Sequence, residues 1–371
     1  MKTKCYRILD VNLSLSSDSE IFLRNFETDF SLFAAAEEAA GLSLAISYTQ
    51  KDGKGSLSIN GISRLLGETP HDAALAYQVV TAEIMNTVCD FTVLHGGVVA
   101  REGRALAISG PPGAGKTTLV TALLAAGFEY HSDDFCPIAH ATRLVHPFPR
   151  TMWRVAADVG NEATREAGVR PGKVPVRLDP AEVRIASEPC RLAGLIFLDP
   201  GREDEEWCVT RFQLAAPGEK ILAQALASLP DVVVVERSGK IPNREIRYRR
   251  REGRAGDVAA LFEALAPYVG NKYRVDFFTP DFSRPPRLTR LSPYEMAYLL
   301  LGELKTETGD LRGRPGNYFM KLAGLLAGVR CCRLSVGPLE QMRDLAVSVW
   351  EEDRLSFRNE YARDAQKEAI P

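Results

Sequence analysis

The sequence has no long apolar run, no excess of either charge, and few cysteines or histidines. A membrane-spanning helix needs about 18 or more consecutive apolar residues. The best stretches here are Leu192–Leu198 and Val232–Val235, so no span is expected. The first stretch, Met1–Glu20, is polar and alternating and lacks the apolar core of a signal peptide. The 46 Lys and Arg nearly balance the 48 Asp and Glu, leaving a net charge of −2. That excludes a surface coated in positive charge for nucleic acid, and also an acidic disordered tail. The seven cysteines form no C-x-x-C pair, and two of them, Cys331 and Cys332, are adjacent. Reduced thiols in a cytoplasmic protein are the expectation. The five histidines show no zinc-ligand spacing.

What is present is ordinary globular composition, 45% apolar and 25% charged over 371 residues. At about 100–200 residues per domain this suggests two domains, or one large domain with an elaboration. Residues 1–85 read as a small α+β unit. Val11, Leu13 and Leu15 alternate with polar residues as in a half-buried strand. Phe22, Phe26, Phe30 and Phe33 recur at helical spacing and form a core stripe. Leu42, Leu44, Ile46 and Tyr48 alternate again, and Lys51–Gly55 turns the chain into a returning strand with Leu57 and Ile59. Thr69-Pro70-His71-Asp72 has the form of a helix start, and the helix is expected to reach about Asp90.

From Phe91 the pattern is strand (Phe91–Ala100), turn (Arg101–Arg104), buried strand (Ala105–Ser109), glycine-rich loop and helix, with Gly127 ending the helix. Later, Leu192–Leu198 and Val232–Val235 read as buried strands. Cys331–Val336 reads as a last strand, Leu339–Trp350 as a last helix, and 351–371 as a polar tail.

The loop is Gly110-Pro111-Pro112-Gly113-Ala114-Gly115-Lys116-Thr117-Thr118, which fits the Walker A pattern G-x-x-x-x-G-K-[ST]. A polyphosphate packs several negative charges into a small volume. Glycines let the backbone curl so that successive N–H groups point inward, and the helix start aims its positive end at the same place. Lys116 would reach the β- and γ-phosphates, and Thr117 would offer its hydroxyl to Mg²⁺. A strand before the loop and an amphipathic helix after it supply the context the motif requires. Ser132-Asp133-Asp134 follows on the next element, 17 and 18 residues after Lys116. Acidic residues there can hold Mg²⁺ or accept a proton from an attacking hydroxyl.

A strand hairpin into a P-loop, one helix, then an Asp-Asp strand resembles the HPr kinase/phosphorylase group, and more distantly the phosphoenolpyruvate carboxykinases. The resemblance spans Val93–Ile138: Leu94-His95-Gly96-Gly97-Val98-Val99, Gly110–Thr118, and Gly127–Phe135. It implies an α/β P-loop kinase of the phosphoenolpyruvate-carboxykinase-like type over residues 86–350, with the small α+β domain ahead of it and an insertion around 240–315. It implies transfer of the ATP γ-phosphoryl group to a hydroxyl, with Mg²⁺. Lys116 and Thr117 match the phosphate and metal residues. Asp134 and Asp133 match the acidic pair, with Asp134 the favoured base and Asp133 the favoured metal ligand. His95 matches the His beside the family's site, although a structural histidine at a strand end is its plain alternative. HPr kinases form ring-like oligomers, so a homo-oligomer is implied as well. The glycine-rich segment that follows the Asp pair in true HPr kinases is not found, so the expected acceptor is a peptide, a protein hydroxyl or a small hydroxyl compound rather than HPr.

Three other features stand out in the sequence. Arg150, after two prolines, is placed to contact phosphate or substrate, or to form a salt bridge. Asp199 ends a strand and reads as a turn residue. Lys240–Arg254 holds seven basic residues but only one aromatic, Tyr248; a solvated face is its plainest reading, with an anionic partner as the alternative and nucleic acid disfavoured. A non-catalytic nucleotide sensor built on the same loop is the competing functional class.

Overall fold

A computed structural model describes residues 1–35, 42–51, 54–67, 72–111, 113–155, 173–176, 183–200, 207–214, 216–229, 232–237, 243–249, 254–265, 268–274, 283–301 and 315–368. Pro112, the Thr69–His71 helix start, the acidic Glu203–Glu206 and much of the basic run from Lys240 lie outside them.

The N-terminal unit is a five-stranded sheet in sequential order: β1 (Lys2–Ile8), β2 (Val11–Ser17), β3 (Leu42–Lys51), β4 (Lys54–Ile59) and β5 (Ile62–Gly67). Strands β2 and β3 run parallel, and α1 (Glu20–Phe30) lies between them in the chain. The other pairs are antiparallel. Ser19 caps α1 by accepting the Phe22 N–H. Phe22, Phe26 and Phe30 are fully buried, with Phe26 stacked on Phe30 at 4.5 Å. A second helix, α2 (Asp72–Thr87), adds Tyr77, Val80 and Ile84 to the same core.

The P-loop sheet follows. Its strands are β6 (Phe91–Arg101), β7 (Arg104–Ser109), β8 (Glu129–Ser132), β9 (Phe135–Ala139), β10 (Leu144–Val145), β13 (Cys190–Asp199), β18 (Leu288–Leu291) and β19 (Arg330–Ser335). The order is β10-β9-β6-β7-β13-β19-β18, with β8 also on β6. β7, β13 and β19 are mutually parallel. As befits a strand covered on both faces, β13 is buried continuously from Leu192 to Leu198. The β6–β7 hairpin turns through Glu102 and Gly103, both at positive φ (53° and 69°), which matches strand twist.

One face of this sheet carries α3 (Lys116–Ala125) and α8 (Leu339–Glu368); Leu119, Val120 and Leu123 meet Met342, Ala346, Val349 and Trp350 there. The other face carries α6 (Pro293–Leu300) and α7 (Pro315–Leu325). Phe91, Val93, Phe135 and Phe148 belong to the N-terminal core, so the two sheets share one apolar interior.

A separate four-stranded sheet spans β14 (Trp207–Leu214), β15 (Val232–Arg237), β16 (Asn243–Arg249) and β17 (Val269–Arg274), with α4 (Ala216–Ala227) and α5 (Arg254–Leu265). It begins at Trp207, well before Lys240, and the chain rejoins the P-loop sheet at Leu288. The expected buried strand Val232–Val235 belongs to this separate sheet, and Val233 is exposed. The last helix, α8, continues into the polar tail as far as Glu368. A two-stranded pair, β11 (Met152–Val155) and β12 (Lys173–Val176), completes the described strands.

Candidate functional site

The glycine-rich loop leaves the end of β7 and enters α3. Gly110, Gly113 and Gly115 all sit at positive φ (141°, 86° and 91°), a region that disfavours side chains. Gly110 has a second constraint, because a Cβ there would stand 2.8 Å from the Leu198 carbonyl oxygen of β13. At Gly113 and Gly115 an added Cβ would meet nothing within 4 Å. Their requirement is conformational, and the loop is open on that side. No side chain caps α3 at Gly115. The first-turn N–H groups of a helix have no intrahelical acceptor, which makes such a helix start suited to an anion.

Lys116 is buried, and its Nζ donates to the carbonyls of Gly110 (2.6 Å) and Pro111 (3.3 Å). Ala114 is buried and Thr118 exposed. Pro111 accepts the Ala114 N–H at 3.2 Å, which tightens the loop.

The Asp pair occupies a break between β8 and β9, both of which pair with β6. Register places Ser132 opposite Val98 and Phe135 opposite His95, so Asp133 and Asp134 face Gly96 and Gly97. The Gly96 N–H donates to the Asp134 carbonyl at 3.2 Å, and Ser132 Oγ accepts the Phe135 N–H. Glycine is needed here for space. A Cβ on Gly97 would come within 2.5 Å of Val120 Cγ2 on α3 and 3.3 Å of the Asp133 carbonyl oxygen. The missing side chain lets the P-loop helix settle against the Asp pair. As a result Thr117 Oγ1 donates to Asp133 Oδ2 at 3.3 Å. Asp133 is buried, while the Asp134 side chain keeps 26% of its surface exposed.

His95 precedes Gly96 on β6. It is half-buried, and its carbonyl accepts the Ser109 hydroxyl at 2.8 Å, which ties β6 to the end of β7. Asp199, at the end of β13, is paired with Arg333 at 3.6 Å.

Arg150 stands apart from the expectation of an open phosphate or substrate contact. It is only 3% exposed. One guanidinium nitrogen, Nη2, is bound to Asp29 of α1 and to the Tyr77 hydroxyl of α2, the latter at 2.6 Å. The other, Nη1, faces Asp134 Oδ2 at 3.6 Å. Burial opposes its charge, but Tyr77, Asp29 and Asp134 more than offset this and hold the guanidinium protonated above its ordinary range. The Tyr130 hydroxyl donates to the Arg150 carbonyl at 2.6 Å, and burial beside Asp133 and Asp134 raises the Tyr130 phenol well above its usual pKa. The neighbouring His131 is fully buried and pushed down to about 4 by desolvation, which keeps it neutral.

Asp29, Tyr77 and Trp153 were not singled out as site residues from the sequence. One signal was available: Asp29 lies three residues after Phe26 on the buried stripe of α1, an apolar-face position for a carboxylate.

Among the described residues, the one His/Cys/Asp/Glu group close enough to share an ion is Asp10, Cys89 and Asp90, at the β1–β2 turn. There Asp10 Oδ2 accepts the N–H groups of Cys89 and Asp90, both at 3.0 Å. No helix among the described residues is long and apolar enough to cross a membrane.

No protein-family model and no curated protein matches the chain. Among solved structures, the Hpr(Ser) kinase/phosphatase from Coxiella burnetii is similar at 11% identity and a TM-score of 0.22, over 47% of this chain and 93% of that one.

Proposed function

We propose that this chain is an ATP- and Mg²⁺-dependent kinase that transfers the γ-phosphoryl group to a hydroxyl, on a P-loop fold of the phosphoenolpyruvate-carboxykinase-like type related to HPr kinases. The acceptor is a serine-type hydroxyl of a protein or peptide, or a small hydroxyl compound. The observation that carries this reading is the approach of Thr117 to Asp133 at 3.3 Å, with Asp134 beside them at the mouth of an open glycine loop.

The donor set fits the groups it would hold. A hydroxyl and a carboxylate are hard oxygen ligands suited to Mg²⁺, and Thr117 and Asp133 would hold it. The metal would neutralise charge on the phosphates. The loop amides and Lys116 would bind the β- and γ-phosphates, the Lys116 ammonium leaving its resting place on the Gly110 and Pro111 carbonyls. Asp134, the more exposed carboxylate, would take the acceptor's proton. The acceptor oxygen forms the new bond to the γ-phosphorus, and the bond to the β,γ-bridging oxygen breaks with its electron pair leaving on ADP. His95, a residue away from the Asp134 contact, would line the same mouth. A cytoplasmic setting suits both ATP and the six free thiols among the described cysteines.

The test is a comparison of binding with transfer. Asp134→Asn should leave ATP bound within about threefold yet abolish labelling of acceptors in host extract by γ-labelled ATP. If the wild type binds ATP but transfers nothing under any condition, the chain is a nucleotide sensor and the kinase reading is wrong.

A further inference from the structure

We infer that the N-terminal unit completes the transfer site: Asp29 and Tyr77, acting through Arg150, orient Asp134 and are positioning residues for it. This rests on the role given to Asp134 above. A buried guanidinium must be matched by countercharge and hydrogen bonds, or its burial is strongly unfavourable. Asp29 answers both needs from α1. Its Oδ2 accepts from Arg150 Nη2 and from the Tyr77 hydroxyl, and its Oδ1 accepts from Trp153 Nε1 at 2.8 Å.

Three donors, Tyr77 on α2, Trp153 on β11 and Arg150 in the loop before β11, thus fix one carboxylate, and that carboxylate fixes one end of the guanidinium. The rings of Phe30 and Phe135, 4.9 and 5.0 Å from the guanidinium carbon, flank it. Its remaining edge is turned to Asp134 Oδ2 at 3.6 Å. The planar fork is what makes this bridge: it addresses two carboxylates in fixed directions, which an ammonium cannot do. Asp29 is 2% exposed on α1, and Arg150 is what links it to Asp134, so its effect on transfer passes through Arg150.

The experiment uses the full chain carrying 5-fluorotryptophan, with the Trp153 line assigned by Trp153→Phe. ADP formation from MgATP, with water as acceptor, is measured beside the ATP dissociation constant and the thermal melt. Asp29→Asn, Tyr77→Phe and Arg150→Lys are expected to lower turnover tenfold or more while the ATP dissociation constant stays within threefold. Arg150→Lys separates orientation from charge, and Tyr77→Phe removes one hydroxyl with little risk to folding. A folded Asp29→Asn or Arg150→Lys protein that turns over within twofold of wild type overturns the inference. If wild type shows no Lys116-dependent turnover with water, the kinase reading is decided by the labelling of acceptors in host extract. The link itself is then judged by the fluorine line: a Trp153 shift on adding MgATP that disappears in Asp134→Asn sustains it, and an unmoved line overturns it.

Discussion

Thr117 Oγ1 donates to Asp133 Oδ2 across 3.3 Å, joining the first turn of the P-loop helix to the strand break that carries both aspartates. On the proposed reading, these two hard oxygen donors would hold Mg²⁺ only as a pair. Thr117→Val and Asp133→Asn are therefore each expected to remove the tightening of ATP binding by Mg²⁺, a loss of about tenfold or more. Binding without metal should change less than about threefold. Calorimetric titration with and without Mg²⁺ checks this, and a variant that keeps the full Mg²⁺ effect contradicts it.

Gly97 holds the same arrangement together by what it lacks. Gly97→Ala puts a methyl 2.5 Å from Val120 Cγ2, and overpacking of this kind costs about 1–3 kcal/mol. Val is stiff at χ1, so the strain cannot be relieved by a simple rotation. Val120→Ala combined with Gly97→Ala should recover part of the loss relative to the two single changes added together. Urea unfolding of the four proteins measures the coupling.

His131 gives the fold an acid limit. The unfolded chain binds a proton on this side chain below about pH 6.5, and the folded chain only below about 4. Unfolding therefore takes up a proton in that window, and stability falls as pH drops through it. The full effect is about 3 kcal/mol by the free energy of a pKa shift. Urea unfolding from pH 7 down to pH 4 should show this decline, and His131→Gln should have a flatter profile, whatever its stability at pH 7.

The last helix is held by charge as well as packing. Arg104 lies over the Trp350 ring at 3.9 Å, and Asp353 is paired with both Arg104 and Arg191. Asp353→Ala removes the carboxylate that the buried Arg104 and the part-exposed Arg191 share and should cost about 1–3 kcal/mol. Because α8 lies behind α3 and away from the loop mouth, ATP affinity should stay within about twofold once the protein is folded. Thermal melts and ATP titration of the variant separate the two effects.

Local pattern made much of this legible. The alternation at Val11–Leu15 and Leu42–Tyr48, the Glu102-Gly103 turn and the loop-to-helix phrase at Gly110–Thr118 all carry their own physical signature, and each forms the element it suggested; the phenylalanine stripe does so as far as Phe30, where α1 ends and Phe33 falls in a separate 3-10 turn. The nearness of Asp133 to Thr117 was foreshadowed by their spacing. What could not be read was pairing between distant segments. Strand β1, KTKCYRI, is too polar to announce itself, and β16, NREIRYR, reads as a charged run until strands lie on both sides of it. Arg150 was legible as a functional candidate, but its partners were not. Asp29 and Trp153 lie 121 and 124 positions from their contacts in this cluster, and no periodicity reaches that far.

The most direct test of the account is phosphoryl transfer itself: γ-labelled ATP and Mg²⁺ incubated with host extract and either wild type or Lys116→Ala. The account predicts a labelled protein, peptide or small metabolite with wild type and none with Lys116→Ala. Equal labelling by both proteins, or none by a wild type that is folded and binds ATP, would contradict it.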